Sequence, residues 1–138
     1  MNCSGALILS QESKRFLFLQ RTQAKTLGMW GLVGGKREVS DKSPIDTLTR
    51  EISEELGSLP EISKIIPLDL YTSNDHQFEY NTYVILVKEE FIPLLNGEHS
   101  SYAWCKYSHW PKPLHNGVKL CLNNRIIKAK LELMLDML

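Results

Sequence analysis

The residues best suited to chemistry stand together in Arg50-Glu51-Ile52-Ser53-Glu54-Glu55-Leu56-Gly57. On a helix, Glu51 lies three residues before Glu54 and four before Glu55, so the three carboxylates gather on one side. Like charges at that spacing repel by about 0.2–0.5 kcal/mol per pair. A hard divalent cation such as Mg²⁺ turns that repulsion into attraction, because it takes oxygen ligands and is commonly held by carboxylates together with substrate phosphates. A solvated acidic helix face, with Arg50 pairing with Glu54 at i,i+4, accounts for the same letters. The glutamates alone leave both readings open.

The elements that must position these groups follow from local pattern. Ser43 is a good helix cap, Pro44 suits a first turn and Asp46 stands three residues after the cap. Ile45, Leu48, Ile52 and Leu56 recur at three- and four-residue spacing and predict a buried stripe, while Gly57 stands where a helix ends. Upstream, Ala6–Ser10 and Arg15–Arg21 read as a hairpin closed by four polar residues. The glycine-rich Gly28–Gly35 reads as a short strand running into a tight loop. Downstream, Ile62–Tyr71, Phe78–Lys88 and Ser101–Cys105 read as strands. From Val118 to Leu138 helix formers dominate, and Ile127, Leu131, Met134 and Leu138 recur at helical spacing. The order of strands, helix, strands and helix predicts mixed α/β layers in one domain spanning residues 1–138.

With its glycines, the acidic segment resembles the box of the Nudix hydrolase family, G-x5-E-x7-R-E-U-x-E-E-x-G-U, where U is bulky and apolar. The match runs from Gly35 to Gly57, preceded by Trp30-Gly31-Leu32-Val33-Gly34 and by the hairpin ending in Gln20-Arg21. The box departs from its pattern at the first acid: Asp41 stands there with one residue too many before Arg50, whereas strict spacing would give Lys42. A one-residue bulge before Pro44 is the favoured explanation, since loops absorb insertions easily. Ser58 replaces the last apolar residue, and Val33 stands where many relatives have proline.

The resemblance implies a Nudix α/β/α sandwich, with a mixed central sheet between the box helix and a C-terminal helix. It implies a hydrolase of phosphorus-containing acid anhydrides that uses Mg²⁺, with Mn²⁺ as an alternative. Glu51, Glu54 and Glu55 are then the expected metal ligands and catalytic carboxylates, the backbone of Gly35 adds a ligand, and Arg50 orients the carboxylates. Many relatives draw a further catalytic group from a later loop; here Asn96–Trp104 offers Glu98 and His99, either of which can take a proton from water. The expected substrate is a nucleoside diphosphate linked to another group: a nucleotide sugar, ADP-ribose, a dinucleoside polyphosphate or a nucleoside triphosphate. Lys36 and Arg37 are candidates for phosphate, and Phe78, Tyr80, His99 and Trp104 for the remainder of the ligand. Tyr83, Tyr102 and Trp110 are further aromatic candidates, and His76 with Trp110–His115 is a candidate for closing the pocket.

Composition sets the outer limits. Sixteen basic against sixteen acidic residues weigh against a nucleic-acid partner, which a basic surface would favour. RNA 5′-end hydrolysis is therefore a secondary reading, as is a catalytically weak Nudix module that binds nucleotides in a regulatory role. No apolar run approaches the roughly 20 residues that span a bilayer, and Ala6–Leu9 is too short for a signal-peptide core. Cys3, Cys105 and Cys121 form no metal or disulfide pattern, which points to a cytoplasmic setting. Association into a homodimer is compatible with the resemblance.

Overall fold

The computed structural model describes residues 1–138. Seven strands form one mixed sheet: β1 (Asn2–Ser10), β2 (Arg15–Arg21), β3 (Trp30–Gly31), β4 (Val33–Lys36), β5 (Ile62–Thr72), β6 (Glu79–Val87) and β7 (His99–Lys106). The main path runs β3-β2-β1-β6-β5, with β4 paired to β1 and β7 to β2. Strands β1 and β6 are parallel, with Asn2 opposite Glu79 and Ser10 opposite Val87, while the other pairings are antiparallel.

The central strand explains the layering. A strand covered on both faces reads as a continuous apolar run, and Ala6-Leu7-Ile8-Leu9 is fully buried. Alternation sends Ala6 and Ile8 towards helix α1 (Pro44–Leu56), where Leu48, Ile52 and Leu56 meet them. Leu7 and Leu9 face the opposite layer, α2 (Asn116–Asn123) and α3 (Arg125–Asp136), which contributes Val118, Leu122, Ile127 and Leu131. The result is the expected α/β/α sandwich. Burying each large aliphatic side chain contributes roughly 1.5–3 kcal/mol, so each helix is held by its stripe. No helix is long and apolar enough to cross a membrane.

Helix α1 begins and ends as its sequence requires. The Ser43 hydroxyl accepts from the Asp46 N–H at 3.2 Å. Gly57 takes φ 81° and donates its N–H to the Ser53 carbonyl, a conformation that glycine adopts without steric cost.

Three expectations need correction. Ile45 is exposed rather than part of the stripe, because the first helical turn leans on the preceding loop: Thr47 is buried there and donates to Asp41 at 3.0 Å. Gly34 and Gly35 lie within β4, paired to Gly5 and Ser4, instead of in a loop. The C-terminal segment is two helices, because Asn124 interrupts it. The side chain of Asn124 accepts from the N–H groups of Ile126 and Ile127 and so opens α3.

Candidate active site

Helix α1 presents its carboxylates to two different surroundings. Glu51 is 12% exposed and Glu54 52% exposed, and both are held by Arg50, at 3.0 and 3.4 Å. The main partner of Arg50 is Asp41. Nη2 and Nε donate to its two carboxylate oxygens at 2.9 and 3.3 Å, and Nη2 also reaches the Lys36 carbonyl at 2.8 Å. Thr47 and the Glu38 N–H complete the cage around Asp41. The Arg50 bonds, helped by that N–H, hold the Asp41 carboxyl far below the usual range. Asp41, not the exposed Lys42, is thus the acid facing the helix, and the loop absorbs the extra residue.

Glu55 turns the other way, inward. It is 2% exposed, and Oε2 accepts from the Gly34 N–H at 3.0 Å. Burial pushes its carboxyl up to about 8, with the charge of neighbouring Glu51 and Glu98 adding to the shift and the Gly34 bond opposing it. Nδ1 of buried His99 lies 3.5 Å from Oε1 of Glu55 and has no hydrogen-bond partner. Burial, with the charge of Arg21, lowers the His99 imidazole to about 4. One ligand atom each from Glu55, Glu98 and His99 lie within 4.8 Å of one another.

The loop carrying Glu98 and His99 is tied down at several points. The Asn96 amide donates to the Glu54 carbonyl, and the Asn96 side-chain oxygen accepts from the Glu98 N–H. Thr22 donates its N–H to the Glu98 carbonyl and its hydroxyl to the Gly97 carbonyl. Gly35 stands against Glu51 so closely that a Cβ there would push the carboxylate aside. A divalent cation suits this donor set: two carboxylates, one of them buried, and an orphaned imidazole nitrogen.

On the sheet face covered by α2 lies a cavity of about 410 Å³, lined among others by Arg21, Asp69, Tyr71, Phe78, Tyr80 and His115. The structure therefore brings the candidates Phe78 and Tyr80 together in one cavity. It does not bring Trp104 there. Trp104 packs edge-on against Phe91 at 5.4 Å and donates its indole N–H to the Phe91 carbonyl. Strand alternation puts it opposite Leu17, on the α1 side of the sheet. Trp110 packs against Phe16, Phe18 and Tyr107, and Tyr83 is core. Lys36 and Arg37 are exposed outside the cavity, Arg37 bonding the Asp41 carbonyl at 3.1 Å.

Arg21, Asp69 and Asn124 were not among the sequence candidates, although all three line the cavity. The signals were present. Arg21 closes an apolar strand, Asp69 interrupts the apolar Ile65–Leu70, and Asn124 interrupts a run of helix formers. The side chain of Arg21 makes no hydrogen bond or ion pair, and its Nε is buried without a partner.

The sequence model of the NUDIX domain matches residues 3–121. The chain belongs to the Nudix family. Its enzyme class follows from that membership: it is a hydrolase acting on phosphorus-containing anhydride bonds. Among solved structures, the Nudix hydrolase RenU of M. smegmatis is 20% identical with a TM-score of 0.74, covering 95% of this chain and 86% of its own. The NUDIX domain of Shewanella oneidensis NrtR, solved with ADP ribose, is 20% identical with a TM-score of 0.70, covering 96% and 88%. A C. elegans Ap4A hydrolase is 14% identical with a TM-score of 0.66, covering 96% and 94%. At these identities the likeness is one of fold. No curated protein sequence matches the chain.

Proposed function

We propose that this Nudix protein is a divalent-metal-dependent pyrophosphohydrolase of a small nucleoside diphosphate derivative. The observation that carries the reading is the buried Glu55 carboxylate facing the orphaned Nδ1 of His99, with Glu98 beside them. A buried carboxylate and a buried unpartnered nitrogen are each costly alone, and a shared cation relieves both. Buried Glu55 and His99 would hold the metal, with one oxygen of Glu98 beside them and its other free, and the metal would supply Lewis-acid neutralisation of the diphosphate charge. Glu51 and Glu54 would flank that centre, with Glu51 lying against Gly35 and its direction fixed by Arg50.

The chain's own groups divide the remaining work. Arg21, unpartnered at the cavity wall, takes a phosphate oxygen of the substrate. Glu98 is exposed at the cluster, so it can exchange protons with solvent and serve as the base that takes the proton of the attacking water. That water oxygen bonds to phosphorus as the bridging P–O bond breaks, and the departing phosphate leaves with that electron pair. Buried His99 is poorly placed for proton exchange, which favours a ligand role for it. ADP ribose, bound by the NrtR domain, and Ap4A, the substrate named for the C. elegans hydrolase, both contain the required linkage.

The test is a panel of nucleoside diphosphate derivatives and triphosphates incubated with Mg²⁺ or Mn²⁺, read by chromatography of the products. A nucleoside monophosphate should appear, and chelator should stop its formation. Turnover that survives both chelator and Glu55→Gln would overturn the assignment.

A further inference from the structure

We infer that the cavity selects a guanine base, with Asp69 and Asn124 reading its hydrogen-bonding edge; the inference rests on the proposed function only for the placement of the phosphates. The cavity is electrically polarised. One wall carries Arg21 of β2, which is paired with His99 of β7 and so lies towards the carboxylate cluster, with two strands between it and β5. The other carries Asp69, whose charge acts on Cys121 of α2. Asp69 is half-buried, yet its carboxylate makes neither a hydrogen bond nor an ion pair, and it does not pair with Arg21. Two unpaired charges of opposite sign in one cavity specify a ligand that is anionic at one end and rich in N–H donors at the other.

Three aromatic rings lie among these charges. Tyr71 and Phe78 have centroids 6.2 Å apart, and Phe78 and Tyr80 6.3 Å apart. They offer the flat apolar faces on which a base stacks. The donor-rich end is therefore the edge of a base.

Asn124 narrows the choice. Its Oδ1 already accepts from two backbone N–H groups, at 2.9 and 3.1 Å. Both lone pairs are used, and an inverted amide would set NH₂ against those donors. Towards a ligand, the side chain can only donate. A carboxylate acceptor and an amide donor together complement guanine, whose N1–H and N2–H₂ donate while O6 accepts. Adenine offers a donor where guanine has O6 and an acceptor where guanine has N1–H, so it meets both groups with the wrong polarity. Hypoxanthine keeps O6 and N1–H but lacks the amino group.

Binding of GMP, IMP and AMP to the full chain, measured by calorimetry, tests this directly. GMP should bind about tenfold to a hundredfold more tightly than AMP, with IMP between them. Asp69→Asn, nearly isosteric, should weaken GMP about tenfold, leave AMP no weaker and keep the melting temperature. Equal affinity for the three nucleotides, preference for AMP, or no saturable GMP binding would overturn the inference, and the wild-type comparison needs no variant to fold. Turnover of the diphosphate panel separates the two readings. Hydrolysis without guanine preference removes the base assignment alone, whereas guanine preference without hydrolysis supports the base assignment and removes the catalytic reading.

Discussion

Two acidic groups, Asp41 in the loop before α1 and Glu55 in its last turn, meet opposite fates. Asp41 and Glu55 are both nearly inaccessible to water. Asp41 is enclosed by Arg50, Thr47 and a backbone N–H, and its proton affinity falls far below normal. Glu55 has one backbone N–H, a neutral imidazole and further carboxylates, and its proton affinity rises. The protein supplies the cation for the first carboxylate and leaves the second without one. An internally paired acid is architecture; an unpaired buried acid beside an orphaned nitrogen is where the proposed cation would bind.

Removing the unpaired acid should have the largest effect. Glu55→Gln keeps the shape and removes the charge, and hydrolysis should fall by on the order of a hundredfold or more, beyond what loss of an outer-sphere partner costs. Its melting temperature without metal should hold or rise at pH 8, because a buried carboxylate has been neutralised. Unchanged turnover would erase the contrast between the two acids. Next in size is Arg50→Met, which strands Asp41. Unfolding should occur several degrees lower, since a buried charge that loses its partner is strongly destabilising. A melting curve superimposable on wild type would mean that Asp41 does not need its arginine.

The pH profile sharpens the same comparison. The Glu55 carboxyl is raised to about 8, so the folded chain binds more protons than the unfolded one, and stability falls as pH rises towards 8. The His99 imidazole is lowered to about 4, so stability contributed there rises between about pH 4 and its ordinary value near 6.5. The two slopes oppose each other through the acidic range. Above pH 6.5 only the Glu55 decline remains, so the metal-free protein should lose stability between pH 6.5 and 8. Glu55→Gln should flatten that segment in thermal melts across a buffer series. A decline that persists in the variant would assign it to another group.

The contrast between the two acids bears on what the letters reveal. Periodicity located α1, and the caps Ser43 and Gly57 stand where the sequence put them. The alternation of β1 and the apolar stripes were enough to order the layers, because burial is written into residue type. Ile45 was misplaced because the stripe rule assumes the sheet continues beneath the first turn, whereas a polar loop lies there. Trp104 lies outside the cavity for a related reason: aromatic character is shared by core and pocket, and only strand register decides between them. Which glutamate turns inward depends on helix rotation against β4, where the Gly34 N–H receives Glu55. Arg21, Asp69 and Asn124 converge through chain segments far apart in sequence, so no local pattern assembles them.

The smallest expected effect concerns Glu54. Its side chain is half exposed and meets Arg50 only at 3.4 Å, a surface pair of little worth. Glu54→Gln should change stability by no more than about 0.5 kcal/mol. The informative readout is the rise in melting temperature when Mn²⁺ is added. A ligand at a hundred times its dissociation constant stabilises the folded chain by about 2.7 kcal/mol. In Glu54→Gln that rise should shrink but persist, because the inward cluster of Glu55, Glu98 and His99 is intact. In Glu55→Gln it should nearly disappear. If Glu54→Gln abolishes the response as completely, the cation sits along the outer helix face, and the orphaned nitrogen of His99 needs another explanation.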